Sequence, residues 1–142
     1  MSYKQTINET EHFEQSADQV WALSGDPATI ESWLPAVEQS WMDDDVRVAE
    51  LVGGAGKARE RITGVNTEQR FYDYEYLDGP MVLKEFTSRF AVIPAGNGSR
   101  VEWTAEFVAD SEEEGAALTA AVSGMYRGGL DNLQVLLSET GN

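Results

Sequence analysis

The chain has 142 residues and a formal net charge of −15, from 10 basic and 25 acidic side chains. A domain of this length buries roughly 68–70% of its unfolded surface, so residues 1–142 are expected to form a single domain with its own core. The negative charge argues against electrostatic binding to nucleic acid or to an anionic membrane surface, since both need clustered cations.

The first elements in chain order are a strand and two short helices. Residues 3–13 are extended, with apolar residues on one parity. Ser16 and Gln19 form a capping box, in which the serine oxygen accepts from the backbone and the glutamine reaches back. Asp26 and Pro27 start a second helix, because aspartate is a good N-cap and proline costs nothing at the first helical position.

The middle of the chain then changes to a period of two, which is typical of strands. Breaker residues divide it into six segments, predicted at 36–42, 46–52, 57–63, 69–77, 83–94 and 99–109. Short turns between consecutive segments predict an antiparallel meander with one buried and one wet face. Alternation is poor in residues 36–62, where a single bulge would invert the inward assignments.

The last 30 residues predict one long helix. Ser111 and Glu114 form a second capping box before an apolar stripe at helical spacing. About 27 residues at 1.5 Å each span roughly 40 Å, enough to cross a sheet. Gly124, Gly128 and Gly129 lie in its middle, which suggests a close backbone approach, a kink or room for a bound molecule.

Several separated motifs resemble the polyketide cyclase/dehydrase-like family of the START and pollen-allergen-like superfamily, also called SRPBCC. They lie at 17–23, 33–37, 56–61, 74–80, 101–107 and 126–133, in the order the family has them. The resemblance implies an α+β helix-grip fold: a seven-stranded curved antiparallel sheet wrapped around a long C-terminal helix, with two short helices after the first strand. It also implies a mostly apolar cavity between the sheet and the long helix.

Inward-facing aromatic side chains are the main candidates for lining that cavity. Apolar walls with a few hydroxyls and one carboxylate suit a small hydrophobic or aromatic molecule, although aromatics at period two also form plain cores. The predicted ligand-binding residues are Trp33, Trp41, Glu60, Tyr72, Tyr74, Tyr76, Phe90, Trp103, Phe107, Met125 and Tyr126.

Glu60 is the candidate catalytic residue, because it shares a parity with Ala58 and Ile62 and so points to the apolar side. A carboxylate facing a cavity can act as a general acid or base. The alternative is a structural role, in an internal ion pair or a hydrogen bond to a tyrosine hydroxyl.

Metal and cofactor chemistry find no support in the sequence. The chain has no cysteine and one histidine, which excludes disulfides, zinc-thiolate sites, cysteine nucleophiles and histidine-rich metal sites. The run 53–57 fails the phosphate-loop pattern, because Leu51 stands where glycine is needed and Ala58 where a hydroxyl is needed. No cofactor and no metal are therefore expected.

Three functions follow as hypotheses. The first is binding of a small hydrophobic, lipid- or polyketide-like molecule without catalysis. The second is a cofactor-independent cyclase or dehydratase that uses Glu60 with Tyr74 or Tyr76. The third is an interaction protein whose core is filled by its own side chains. A monomer or homodimer is compatible with each, and the lack of a signal peptide or membrane-spanning run predicts a cytoplasmic location.

Overall fold

The computed structural model describes residues 2–140. Its helices are α1 (Ala17–Ser24), the 3₁₀ helix Pro27–Ser32, the short 3₁₀ turn Val52–Gly54 and α2 (Glu112–Thr140). Its strands are β1 (Tyr3–Phe13), β2 (Val37–Asp43), β3 (Val46–Leu51), β4 (Gly56–Asn66), β5 (Phe71–Asp78), β6 (Lys84–Ala95) and β7 (Gly98–Ala109).

All seven strands form one antiparallel sheet in the order β1-β7-β6-β5-β4-β3-β2. Strands β2 to β7 follow one another as a meander, and β1 returns to pair with β7 along its whole length, from Tyr3 opposite Ala109 to Phe13 opposite Ser99. The helix-grip fold and its seven strands are confirmed. The edges of the sheet are β1 and β2.

Local capping sets where the short helices begin. The Ser16 Oγ accepts a hydrogen bond from the Gln19 backbone N–H at 3.2 Å, and the Gln19 side chain accepts from the Ser16 N–H at 3.0 Å. Asp26 caps the next element through the Ala28 N–H at 3.0 Å. That element is a 3₁₀ helix and ends at Ser32. It is thus shorter than the sequence pattern suggests.

The long helix α2 covers the inner face of the sheet. Ser111 Oγ accepts from the Glu114 N–H at 3.1 Å and caps its first turn. Its buried side chains follow helical spacing and pack into the sheet's apolar face, where they form one core cluster: Val122, Tyr126, Leu130, Leu133 and Leu137. Helix spacing and strand alternation therefore meet in a single core.

The helix glycines have different surroundings. A Cβ on Gly129 would lie 2.5 Å from Leu34 Cδ1 and 3.1 Å from a ring carbon of Trp33, so this glycine permits a close approach of α2 to residues 33–34. A Cβ on Gly124 or Gly128 would meet nothing within 4 Å. Only one of the three is required by packing.

These surroundings predict opposite effects for alanine at neighbouring positions. Gly128→Ala should stabilise the protein by about 0.5–1 kcal/mol, because alanine loses less backbone entropy in a helix. Gly129→Ala should destabilise it by about 1–3 kcal/mol through overpacking. Urea denaturation measures both, and equal shifts of the same sign would contradict the close approach at Gly129.

Candidate functional site

A largely apolar cavity of about 90 Å³ lies between the sheet and α2. Its walls come from β2 to β7, the 3₁₀ helix and the residues after it, the loop after β5, and α2: Ile30, Leu34, Val37, Arg47, Ala49, Leu51, Ala58, Glu60, Tyr74, Tyr76, Pro80, Met81, Leu83, Phe86, Trp103, Val122, Met125 and Tyr126. Pockets for drug-sized ligands usually measure about 300–1,000 Å³. This cavity therefore suits a small molecule.

Aromatic rings form much of the wall. Trp103 of β7 stacks on Tyr126 of α2, with ring centroids 3.8 Å apart and planes 5° from parallel. Phe86 lies edge-on to Tyr76, with centroids 6.0 Å apart. Stacked and edge-on pairs add about 0.5–1.5 kcal/mol beyond burial, so these walls are packed surfaces.

A chain of hydroxyl groups joins the sheet to α2. The Tyr126 hydroxyl lies 2.9 Å from the Tyr74 hydroxyl and 2.9 Å from Ser88 Oγ. Ser88 Oγ donates to the Thr104 carbonyl at 2.7 Å, and Trp103 Nε1 donates to the Tyr74 hydroxyl at 3.2 Å.

Proton counting gives this chain one direction, since each hydroxyl has a single proton. Ser88 uses its proton on the Thr104 carbonyl, so it must accept from Tyr126. Tyr126 must then accept from Tyr74. The order of donation is Tyr74 to Tyr126 to Ser88 to the Thr104 carbonyl, and neither phenol retains a free donor.

Burial keeps the cavity phenols neutral. It raises the pKa of Tyr74 and raises that of Tyr126 well above its ordinary range, because a phenolate loses its hydration there. Burial also raises the pKa of Tyr72, and nearby Arg47 offsets part of that effect. Burial raises the pKa of Tyr76, whose hydroxyl donates to the Met81 carbonyl at 2.8 Å.

One buried ion pair supplies the charge at the site. Arg47 donates from Nε at 3.0 Å and from Nη2 at 2.9 Å to the same oxygen, Oε1 of Glu60. The Arg47 side chain is 1% exposed and that of Glu60 is 15% exposed. The other carboxylate oxygen, Oε2, accepts no hydrogen bond from residues 2–140.

The remaining contacts of Arg47 hold three elements together. Its Nη1 donates to the Tyr72 hydroxyl at 3.1 Å and to the Pro27 carbonyl at 3.3 Å, and its guanidinium lies 4.8 Å from the Tyr74 ring centroid. Burial alone would favour the neutral form, but Tyr72 and Glu60 outweigh it, so the pKa of Arg47 is raised and the group stays charged.

The loop between β5 and β6 closes one side of the cavity. Pro80, Met81 and Leu83 line the wall, and the hydrogen bond from Tyr76 holds Met81. A Cβ on Gly79 would overlap the Tyr76 hydroxyl, so only glycine fits beneath this ring. Tyr76 and Gly79 together fix the path of the loop.

The predicted site residues fall into three groups. Six line the cavity: Glu60, Tyr74, Tyr76, Trp103, Met125 and Tyr126. Four are buried in the core next to the cavity but do not form its wall: Trp33, Tyr72, Phe90 and Phe107. For these four, the parity argument identifies burial but not contact with the cavity.

The prediction that Trp41 lines the cavity is wrong. Its side chain is 38% exposed, and Lys57 Nζ lies 5.7 Å from its ring centroid on the outer face. The register of β2 against β3 shifts between Val37 and Gln39, so Ser40 turns inward and Trp41 outward. One irregularity inverts the parity of an edge strand.

Arg47 is the site residue that the sequence analysis missed. It alternates with Ala49 and Leu51 along β3, and all three line the cavity. It also pairs directly with Glu60 across the β3–β4 hairpin. A signal existed, because a carboxylate predicted to face inward requires a cation partner, and the hairpin register identifies it.

A family model described as polyketide cyclase / dehydrase and lipid transport matches residues 4–137. The chain therefore belongs to this family, as its motifs indicate. None of the curated proteins matches the sequence. Within residues 2–140 no helix has both the length and the apolar character needed to cross a membrane, and no three acidic or histidine side chains are placed to hold a metal ion.

Solved structures share the fold. The protein XoxI from Bacillus cereus has a TM-score of 0.89 at 23% identity, over 97% of this chain and 99% of that one. The Zhui aromatase/cyclase from Streptomyces sp. R1128 has a TM-score of 0.84 at 13% identity, over 99% and 97%. Norcoclaurine synthase from Thalictrum flavum, as a point mutant with a transition-state analogue, has 0.77 at 18% identity, over 100% and 99%.

The buried ion pair predicts a specific pattern of stability changes. Glu60→Ala leaves the Arg47 charge without its partner and should cost about 3–5 kcal/mol. The double variant Arg47→Met/Glu60→Leu should cost less, because it buries no unpaired charge. Urea unfolding of both variants tests this. A double variant less stable than the Glu60→Ala single would contradict it.

The buried phenols predict a loss of stability in alkali. Their raised pKa means that the unfolded chain ionises first, so the free energy of unfolding holds below about pH 10 and falls as the pH rises further. Tyr126→Phe should lower stability at pH 7, because Tyr74 loses its acceptor, yet reduce the slope above pH 10 by up to about 1.4 kcal/mol per pH unit. Unfolding curves at pH 9, 10 and 11 measure both slopes, and equal slopes would contradict a buried Tyr126.

Proposed function

We propose that this protein binds a small, mostly apolar molecule in the cavity between the sheet and α2, and that it does so without transforming it. The observation that carries the proposal is the cavity itself, whose aromatic walls surround space that no side chain fills. Apolar space with few polar groups favours ligands through burial of their surface. Membership in a family described partly by lipid transport supports the same class of ligand.

The hydroxyl chain supports binding over proton chemistry. Tyr74 and Tyr126 donate their only protons within the protein, and Tyr76 donates to the Met81 carbonyl. A general acid needs a proton that it can pass to a substrate. These phenols are neutral, but their protons are already engaged.

Native mass spectrometry of gently purified protein tests for a retained ligand, against the denatured mass of 15.6 kDa. An added mass that is lost on denaturation is the expected result. A bare mass, together with no heat of binding when toluene is titrated into the protein, would instead support a filled core and an interaction role.

A cavity-filling variant localises the binding. Ala49 is buried on the cavity wall, so Ala49→Leu places an isopropyl group in the free space. We expect it to weaken toluene binding at least about tenfold in calorimetric titrations, which corresponds to about 1.4 kcal/mol.

The matched control is Ala91→Leu, since Ala91 is half-buried on β6 between two inward residues and does not line the cavity. This control should bind toluene as the wild type does. Wild-type affinity in Ala49→Leu, with circular dichroism unchanged, would place binding elsewhere.

A cyclase or dehydratase is the second candidate, favoured by one observation. Glu60 lines the cavity with its Oε2 free of hydrogen bonds from the described residues, as a general base requires. A linear poly-β-ketone should then close a ring by aldol addition and lose one water by elimination, so its product is lighter by one water. Glu60→Gln should abolish that product while toluene binding persists. If the wild type returns the poly-β-ketone with both its mass and its chromatographic retention unchanged, no ring has closed and binding without catalysis is supported.

A further inference from the structure

We infer that the site selects ligands that carry an uncharged hydroxyl group over otherwise equal ligands that carry a carboxylate or an ether. The inference rests on the proposed function, and it names Glu60 as the residue that determines this selectivity. It follows from counting which donors and acceptors on the cavity wall the protein itself has used.

The protein leaves one strong hydrogen-bond acceptor on the cavity wall unused, the Oε2 atom of Glu60. Glu60 accepts both Arg47 bonds on Oε1, and Oε2 accepts none from the described residues. Oε2 is still reached by solvent, in a side chain that is 15% exposed, so a ligand that covers this oxygen without donating to it costs free energy. A ligand hydroxyl can donate to Oε2 in a charge-assisted hydrogen bond.

Few N–H and O–H donors on the cavity wall remain free to bind an anion. The Arg47 guanidinium has five N–H hydrogens. The Nε hydrogen and one Nη2 hydrogen bind Glu60 Oε1. The two Nη1 hydrogens bind the Tyr72 hydroxyl and the Pro27 carbonyl. One Nη2 hydrogen remains. The phenols of Tyr74 and Tyr126 have none to offer.

Charge acts in the same direction. Arg47 is neutralised by Glu60, so the pair presents no net positive charge to a ligand. A ligand carboxylate would gain at most the single remaining Nη2 hydrogen and would meet the negative Glu60 in a poorly hydrated space, where like charges repel strongly. The net charge of −15 adds to that repulsion at long range.

A neutral hydroxyl satisfies both remaining positions, because it donates one proton and accepts through its lone pairs. An ether accepts only, so it leaves Oε2 without a donor. The order of affinity expected for equal hydrocarbon bodies is therefore hydroxyl first, then ether, then carboxylate.

Four probes with one tolyl body test this order: toluene, p-cresol, 4-methylanisole and p-toluate, titrated calorimetrically into the full chain at pH 7. We expect p-cresol to bind at least about tenfold more tightly than 4-methylanisole, the ratio that about 1.4 kcal/mol from a charge-assisted bond gives. We expect p-toluate to bind at least about tenfold more weakly than toluene.

Glu60→Gln assigns the selectivity to one side chain. The neutral amide should reduce the p-cresol to 4-methylanisole ratio severalfold and strengthen p-toluate binding relative to toluene, with each ratio measured within the same variant. The matched control is Glu75→Gln, since Glu75 pairs with Arg61 outside the cavity and should keep the wild-type order.

The outcomes separate the two proposals. If toluene and all three other probes fail to bind the wild type, the proposed function is wrong. If toluene binds but 4-methylanisole or p-toluate binds as tightly as p-cresol, cavity binding stands and the hydroxyl selectivity is wrong. An unchanged order in folded Glu60→Gln would remove Glu60 as its cause.

Discussion

The burial of the Arg47 guanidinium constrains the residues and elements around it. Arg47 is almost fully removed from water, so each acceptor around it must come from the protein: Glu60 on β4, Tyr72 on β5 and the Pro27 carbonyl at the start of the 3₁₀ helix. A buried charge without such partners is very costly. The 3₁₀ helix, strands β3 to β5 and the cavity wall are thereby held in one arrangement.

The hydroxyl chain provides a second anchor, between the sheet and α2. Because Tyr74, Tyr126 and Ser88 satisfy one another, the middle of the cavity wall presents rings rather than free donors. A ligand in the cavity is left with apolar contact, the Glu60 Oε2 atom and one Arg47 Nη2 hydrogen. Solved structures at 13–23% identity share this fold, and a fold does not by itself assign a function.

Most of the secondary structure was predicted from interactions between residues that are close in sequence. The capping box at Ser16 and Gln19, the period of two in residues 101–107 and the apolar stripe of α2 each depend on neighbours within a few residues. The same periodicity correctly turned Glu60 inward, and with it five aromatic or methionine side chains of the cavity wall. Patterns of this kind need no knowledge of distant contacts.

The alternation of apolar and polar residues did not predict the positions that depend on pairing between strands. The bulge at the start of β2 turned Trp41 outward, and only the β3–β4 register brought Arg47 opposite Glu60. The sequence by itself determined the elements, their order and which faces are apolar, because those follow from local propensity and periodicity. The tertiary structure alone decided which buried residues meet the cavity, since free volume depends on how several elements pack at once.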